Sequence, residues 1–245
     1  MSDLDETIEE FESGILEALR LKYAEAQREI AESLIELSPV TKIDIKEFRN
    51  AYQAQSAYPI DRLEKLIHLL MDVKIQLFFI LELDIGLYNR LIADQGFTSE
   101  NINRNPYMVL RKFSLDQNLI IKSRILFERV MNLIYFLETG KDLEVGRSKK
   151  SKFFKFSAQS GKWAFWEDYR EYIEWFDNSL RLPEVHKGSI LKKHFMAKTI
   201  VPDEKILTFS NIIMNVFWPS LIGAIQGREF KGKYWFFGMD VSKSV

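Results

Sequence analysis

The chain contains three histidines, His68, His186 and His194, so any imidazole chemistry must draw on one of these or on a copy from another subunit. His186 stands out because Arg181 precedes it by five positions in RLPEVHKGS. Inside a regular helix the two side chains would diverge by about 140°, whereas Pro183 and Gly188 permit a bent or helix-opening geometry in which they converge. An arginine can grip a phosphate with two parallel N–H bonds. An imidazole near its ordinary pKa of ~6.5 can move a proton to or from a ribose 2′-hydroxyl or a leaving 5′-oxygen. Those are the ingredients of RNA cleavage without a metal. The same residues also read as structure, with Arg181 paired to Glu184 or Glu174 and His186 capping a neighbouring helix. His68 has Glu64 and Asp72 four residues to either side, but one helix supplies too few firm ligands, and no metal or other cofactor is expected. His194, in LKKHF, reads as part of a basic surface.

The elements that must position these groups are helical. Gly and Pro together number 17 of 245 residues, about 7% against a usual ~12%, so breakers are scarce and the fold class is all-α. Ile8, Phe11, Ile15, Leu19, Tyr23, Ala26, Ile30, Leu34 and Leu37 recur at steps of three and four, which predicts one amphipathic helix about 50 Å long ending before Pro39. A shorter helix is expected over 44–57, and another from Ile60 to about Ala93. Residues 97–107 read as a polar connector, and Ser114 with Gln117 reads as a capping box opening a helix that ends at Thr139 before Gly140. That helix is apolar nearly all round and should be central, yet Arg124, Glu128, Asn132 and Tyr135 fall on one side of it. A last helix is expected over 203–226 with a kink at Pro219, followed by an aromatic, basic tail over 231–245.

Charge divides along the chain. Residues 1–40 hold eleven acids and three bases, whereas the whole chain has a net charge of −1. The compensating bases cluster in SKKSKFFKF, read as a loop carrying Lys149, Lys150, Lys152 and Lys155, and further on at Lys187, Lys192 and Lys193. Lysines interleaved with Phe153, Phe154 and Phe156 suit single-stranded RNA, through phosphate contacts and base stacking. The phenylalanines read equally as core anchors. With no cysteine, thiol catalysis and disulfides are excluded. The acidic start MSDLDETIEEFE lacks the features of a secretory signal, and no apolar run approaches the ~20 residues of a membrane span, so a cytoplasmic protein with no membrane contact is expected.

The stretch RLPEVHKGSILKK, with its Arg-x4-His element, and the upstream KSRILFERVMNLIYFLETGKDL resemble the HEPN superfamily over residues 60 to 226. The resemblance implies a compact antiparallel helical bundle over 59–230, preceded by a helical extension over 1–58 and followed by the tail. It further implies a homodimer whose subunits share one cleft, and metal-independent endoribonuclease activity of toxin or phage-defence type. Only Arg181 and His186 match the motif itself. Leu182 stands where active members often place Asn, Asp or His, and Pro183 lies inside the motif. On this reading Arg124, Glu128, Asn132 and Tyr135 line the same cleft, with Glu128 and Glu184 supporting the Arg/His pair. The rival reading is a non-catalytic interaction protein, such as an antitoxin, immunity or scaffold module, using the acidic first helix against a basic partner.

Overall fold

The computed structural model describes residues 2–23, 28–86, 92–93, 105–144, 146, 149–182 and 213–228. Among these there are helices and turns and no strand, so the chain is all-α as its composition requires. The elements are α1 (Ser2–Tyr23), α2 (Arg28–Leu37), a 3-10 turn (Pro39–Lys42), α3 (Ile45–Gln53) and α4 (Leu63–Phe78), which continues as a π-helical stretch (Phe79–Ile85). Then come α5 (Pro106–Thr139), α6 (Lys149–Gln159), a 3-10 turn (Ala164–Tyr169) and α7 (Arg170–Phe176), which continues as a π-helical turn (Asp177–Arg181). A further π-helical turn (Ile213–Phe217) leads into α8 (Trp218–Ile225).

The first amphipathic stretch is not one straight helix. Arg20 Nε lies 3.8 Å from Glu32 Oε1, whereas twelve residues of straight helix would separate them by about 18 Å, so α2 folds back on α1. Both arms keep an apolar stripe of the same period, and folding back lets Ile8, Ile15, Leu19 and Ile35 enter one core. Polar clamps hold the pair down. Buried Lys74 of α4 donates to both carboxylate oxygens of Glu12 at 2.7 and 2.6 Å. Buried Glu82, in the π-helical continuation of α4, accepts from Ser38 Oγ at 2.6 Å and from Lys22 and Tyr23 of α1. Asp5 and Glu9 pair with Arg49 and Lys46 of α3, so part of the acidic face is neutralised within the molecule.

α5 begins at Pro106, eight residues before the expected capping box. Asn105 accepts from the backbone N–H groups of Tyr107 and Met108, and Pro sits at the first helical position, where it has no intrahelical bond to lose. What reads in sequence as a turn signal is an N-cap. The helix ends as expected at Gly140, whose φ of 69° is left-handed, and a side chain there would also run into the Arg62 guanidinium. One face of α5, including Leu119, Leu126, Phe127, Val130, Leu133, Ile134 and Leu137, is buried and packs most extensively along α4. Each such side chain contributes roughly 1.5–3 kcal/mol by leaving water. The same core takes residues from α1 to α8, on both sides of position 58, and α8 packs on α3.

The basic stretch read as a loop is the helix α6. Phe153, Phe154 and Ser157 face inward from it, and the lysines lie on its outer side or its margin. The last helix is described only from Ile213. There a π-helical turn passes into α8 at Trp218, one residue before Pro219, and so accommodates the proline where a kink was expected.

Candidate functional site

α5, α6 and the end of α7 meet around an aromatic core. Phe127 of α5 stands edge-on to Phe153 at 6.1 Å and lies 5.8 Å from Trp166, and Phe153, Phe154, Trp163 and Trp166 are all buried. Phe153 and Phe154 are therefore core anchors and are not free to stack on bases. Phe156 is half-buried against Tyr135, edge-on at 5.2 Å.

Beside this core lies a charged junction. Asp177, the first residue of the π-helical turn after α7, is buried and accepts from Arg124 Nε at 2.9 Å and from Lys150 Nζ at 2.7 Å. One carboxylate thus ties α5, α6 and the turn together. Arg124 Nη1 lies 3.1 Å from Glu128 Oε1, yet it is buried and its N–H is not aimed to make a hydrogen bond there. The guanidinium also rests 5.8 Å from the centre of the Phe127 ring. Arg181 closes the same π-helical turn, about one turn beyond Asp177. It is half-buried and, among the described residues, joins no ion pair; Glu174, one of its expected partners, pairs with Arg170 at 3.0 Å. Three cations, Arg124, Lys150 and Arg181, therefore border a turn that contains one carboxylate.

The polar stripe of α5 does not act as one wall. Arg124 and Glu128 belong to the junction, while Asn132 serves the loop after the helix, accepting from Leu143 N at 2.7 Å and donating to Asp142 Oδ1 at 3.3 Å. The ammonium of Lys65, helped by Asn132, holds the Asp142 carboxyl below the usual carboxylate range. Tyr135 takes part through its ring and its carbonyl, which accepts from Thr139 Oγ1 at 2.7 Å.

The basic residues divide as well. Lys150 is committed to Asp177 and Lys152 to exposed Glu144, whose carboxyl it holds below the usual range. Lys149 is half-buried at the start of α6. Lys155 is exposed, with no ion pair among the described residues. His186, Glu184, Lys187, Lys192, Lys193 and the aromatic tail lie outside the described residues, as does His194. His68 is exposed on α4, its neighbour Asp72 pairs with Arg129 at 2.9 Å, and no group of three potential metal ligands gathers among the described residues. Nor is any described helix long and apolar enough to cross a membrane.

Asp177 is the residue that sequence reasoning missed. Its signal was a single acid following Trp175 and Phe176 and preceding Leu180, an apolar setting in which a carboxylate needs a cationic partner. No family model, curated protein or solved structure matches the chain. Any functional reading therefore rests on the chemistry of the junction itself.

Proposed function

We propose that the protein binds RNA and cleaves it by a metal-independent, HEPN-like mechanism of toxin or phage-defence type. Arg181 holds the scissile phosphate and His186 transfers the protons. The ribose 2′-oxygen attacks phosphorus as its proton passes to the imidazole. The bond to the 5′-oxygen breaks and that oxygen takes a proton, leaving a 2′,3′-cyclic phosphate and a 5′-hydroxyl.

The observation that carries the reading is the distribution of charge at the junction. Asp177 satisfies Arg124 Nε and Lys150, while Arg181 keeps its charge without a partner among the described residues and Arg124 Nη1 keeps an unused N–H. A half-buried guanidinium in that state suits an anion brought from outside, and phosphate matches its fork of donors. Exposed Lys155 on the adjoining α6 extends the positive field along which a polyanion would lie. The reading is tested by incubating an RNA pool in EDTA with wild type and with Arg181→Ala. Cleavage by the first and not the second supports it, and a folded wild type that leaves RNA intact refutes it.

A second reading has its own observation. Glu6, Glu10 and Glu17 on α1 and Glu29 and Glu36 on α2 are exposed and take part in no ion pair among the described residues. A non-catalytic interaction module would present this surface to a basic protein. Reversing Glu6, Glu10 and Glu17 to Lys would abolish partner capture on that reading and leave RNA cleavage unchanged on the first.

A further inference from the structure

The three phenylalanines of α6 are not equivalent. Phe153 and Phe154 are fully buried, whereas Phe156 is half-buried at the margin of the same core, where Tyr135 of α5 meets it edge-on. Tyr135 is half-buried too, and its hydroxyl makes no hydrogen bond among the described residues and is not buried. A tyrosine enclosed in a core finds a partner for its phenol, whereas this one turns its polar end to water.

Lysines surround the pair. Lys149 and Lys152 precede Phe156 by seven and four residues, so the three share one flank of α6, and Lys155 is exposed beside them. α6 carries four lysines and no acid. The acids of the preceding loop are engaged already, Glu144 by Lys152 and Asp142 by Lys65 and Asn132. Lys149 and Lys155 join no ion pair among the described residues and keep their charge next to two partly open rings.

The pair is also in line with the charged junction. Tyr135 stands eleven residues after Arg124, three turns along the same side of α5 and about 16 Å further on. α6 spans the two places, with Lys150 bound to Asp177 at the junction and Phe156 against Tyr135. A strand whose phosphate meets Arg181 can therefore bring a neighbouring base to the rings, within the ~4 nucleotides that the smallest single-strand sites cover.

We infer that Tyr135 and Phe156 form a base-stacking subsite that holds the RNA single-stranded beside its scissile phosphate, an inference that rests on the RNA-binding reading of the junction. An apolar protein surface would cover two rings but gains nothing from the lysines, whereas a polyanion that carries its own flat rings uses both features. A duplex keeps its bases stacked on one another, so the ligand is the unpaired strand. The Tyr135 hydroxyl adds a donor for a base edge or a phosphate oxygen.

The test uses a single-stranded oligonucleotide with 2′-O-methyl ribose, which cannot be cut because the attacking hydroxyl is blocked, carrying 2-aminopurine in place of adenine. Inorganic polyphosphate serves as a polyanion without bases. Full-length wild type, Tyr135→Leu, Phe156→Leu and Arg181→Ala are compared, and far-UV circular dichroism checks that each is folded. Leucine keeps apolar packing and removes the ring. Wild type should quench the 2-aminopurine emission on binding. Both leucine variants should bind the oligonucleotide roughly five-fold to hundred-fold more weakly, with less quenching, and bind polyphosphate as wild type does. Arg181→Ala should weaken binding of both ligands. Wild-type binding without quenching, binding that survives both leucine substitutions, or an equal loss of polyphosphate binding overturns the inference alone. Folded wild type that does not bind the oligonucleotide overturns the RNA reading, and the inference with it.

Discussion

Asp177 is the residue whose removal should be felt most. It lies buried between Arg124 and Lys150, accepting from both at under 3 Å, and Arg124 is itself buried on α5. Asp177→Ala leaves the guanidinium with Glu128 alone, which is more than a third exposed and is not aligned with Nη1 for a hydrogen bond. Breaking a buried pair by deleting one partner typically costs about 3–5 kcal/mol, because the survivor remains buried and uncompensated. For a chain of this size each kcal/mol lowers Tm by roughly 2–4 °C, so the variant should melt about 10 °C below wild type. Lys150, at the margin of the site, can turn to water and adds little. The double variant Arg124→Met/Asp177→Leu removes both charges and should recover most of the loss, with a coupling of at least about 2 kcal/mol between the two positions. Urea denaturation of wild type and Asp177→Ala measures the loss, and Arg124→Met, Asp177→Leu and their double variant complete the cycle. A loss under about 1 kcal/mol for Asp177→Ala, or strictly additive effects, would refute the assignment of Asp177 as the clamp that joins α5, α6 and the end of α7.

Two further outcomes are expected of the same structure. Tyr52 is buried, donates to the Pro59 carbonyl at 2.8 Å, and burial pushes its phenol up to about 12 from an ordinary value of 10. The unfolded chain gives up that proton near pH 10 while the folded chain keeps it to about pH 12, so stability should fall between those values. Tyr52→Phe should flatten that part of the curve, at a cost of about 1 kcal/mol near neutrality, measured by urea titration at a series of pH values. On the basic surface, Lys155→Ala should weaken RNA binding and lower the slope of log K against log salt by about 0.7, the value of one single-strand phosphate contact. Lys152→Ala, whose ammonium is already bound to Glu144, should change the slope less, as read by fluorescence anisotropy.

The sequence was most informative where local chemistry decides. Scarce Gly and Pro gave the all-α class, Asp44 caps α3 by accepting from Glu47 N, and Gly140 stops α5. Three readings failed for identifiable reasons. Periodicity cannot distinguish a straight helix from a hairpin whose arms share one apolar stripe. Asn105-Pro106 serves equally as a turn or as an N-cap with proline at the first helical position, and the dipeptide alone does not separate the two. The lysine density of 149–155 suggested a loop, whereas Phe153 and Ser157, four residues apart, both face the core from one side of α6. At the site, the i, i+4 spacing of Arg124 and Glu128 was legible, but Asp177 is 53 residues from Arg124, and one sequence offers no register between such distant segments.

If Arg181 and His186 together cleave RNA, the chemistry of the product ends reports on it without intermediaries. RNA incubated in EDTA with wild type, His186→Ala and Arg181→Ala should be cut by wild type alone, leaving 2′,3′-cyclic phosphate and 5′-hydroxyl ends, with each variant retaining the wild-type Tm to within a few degrees. Intact RNA in the presence of folded wild type, or cleavage that survives both substitutions, would remove Arg181 and His186 from any catalytic role.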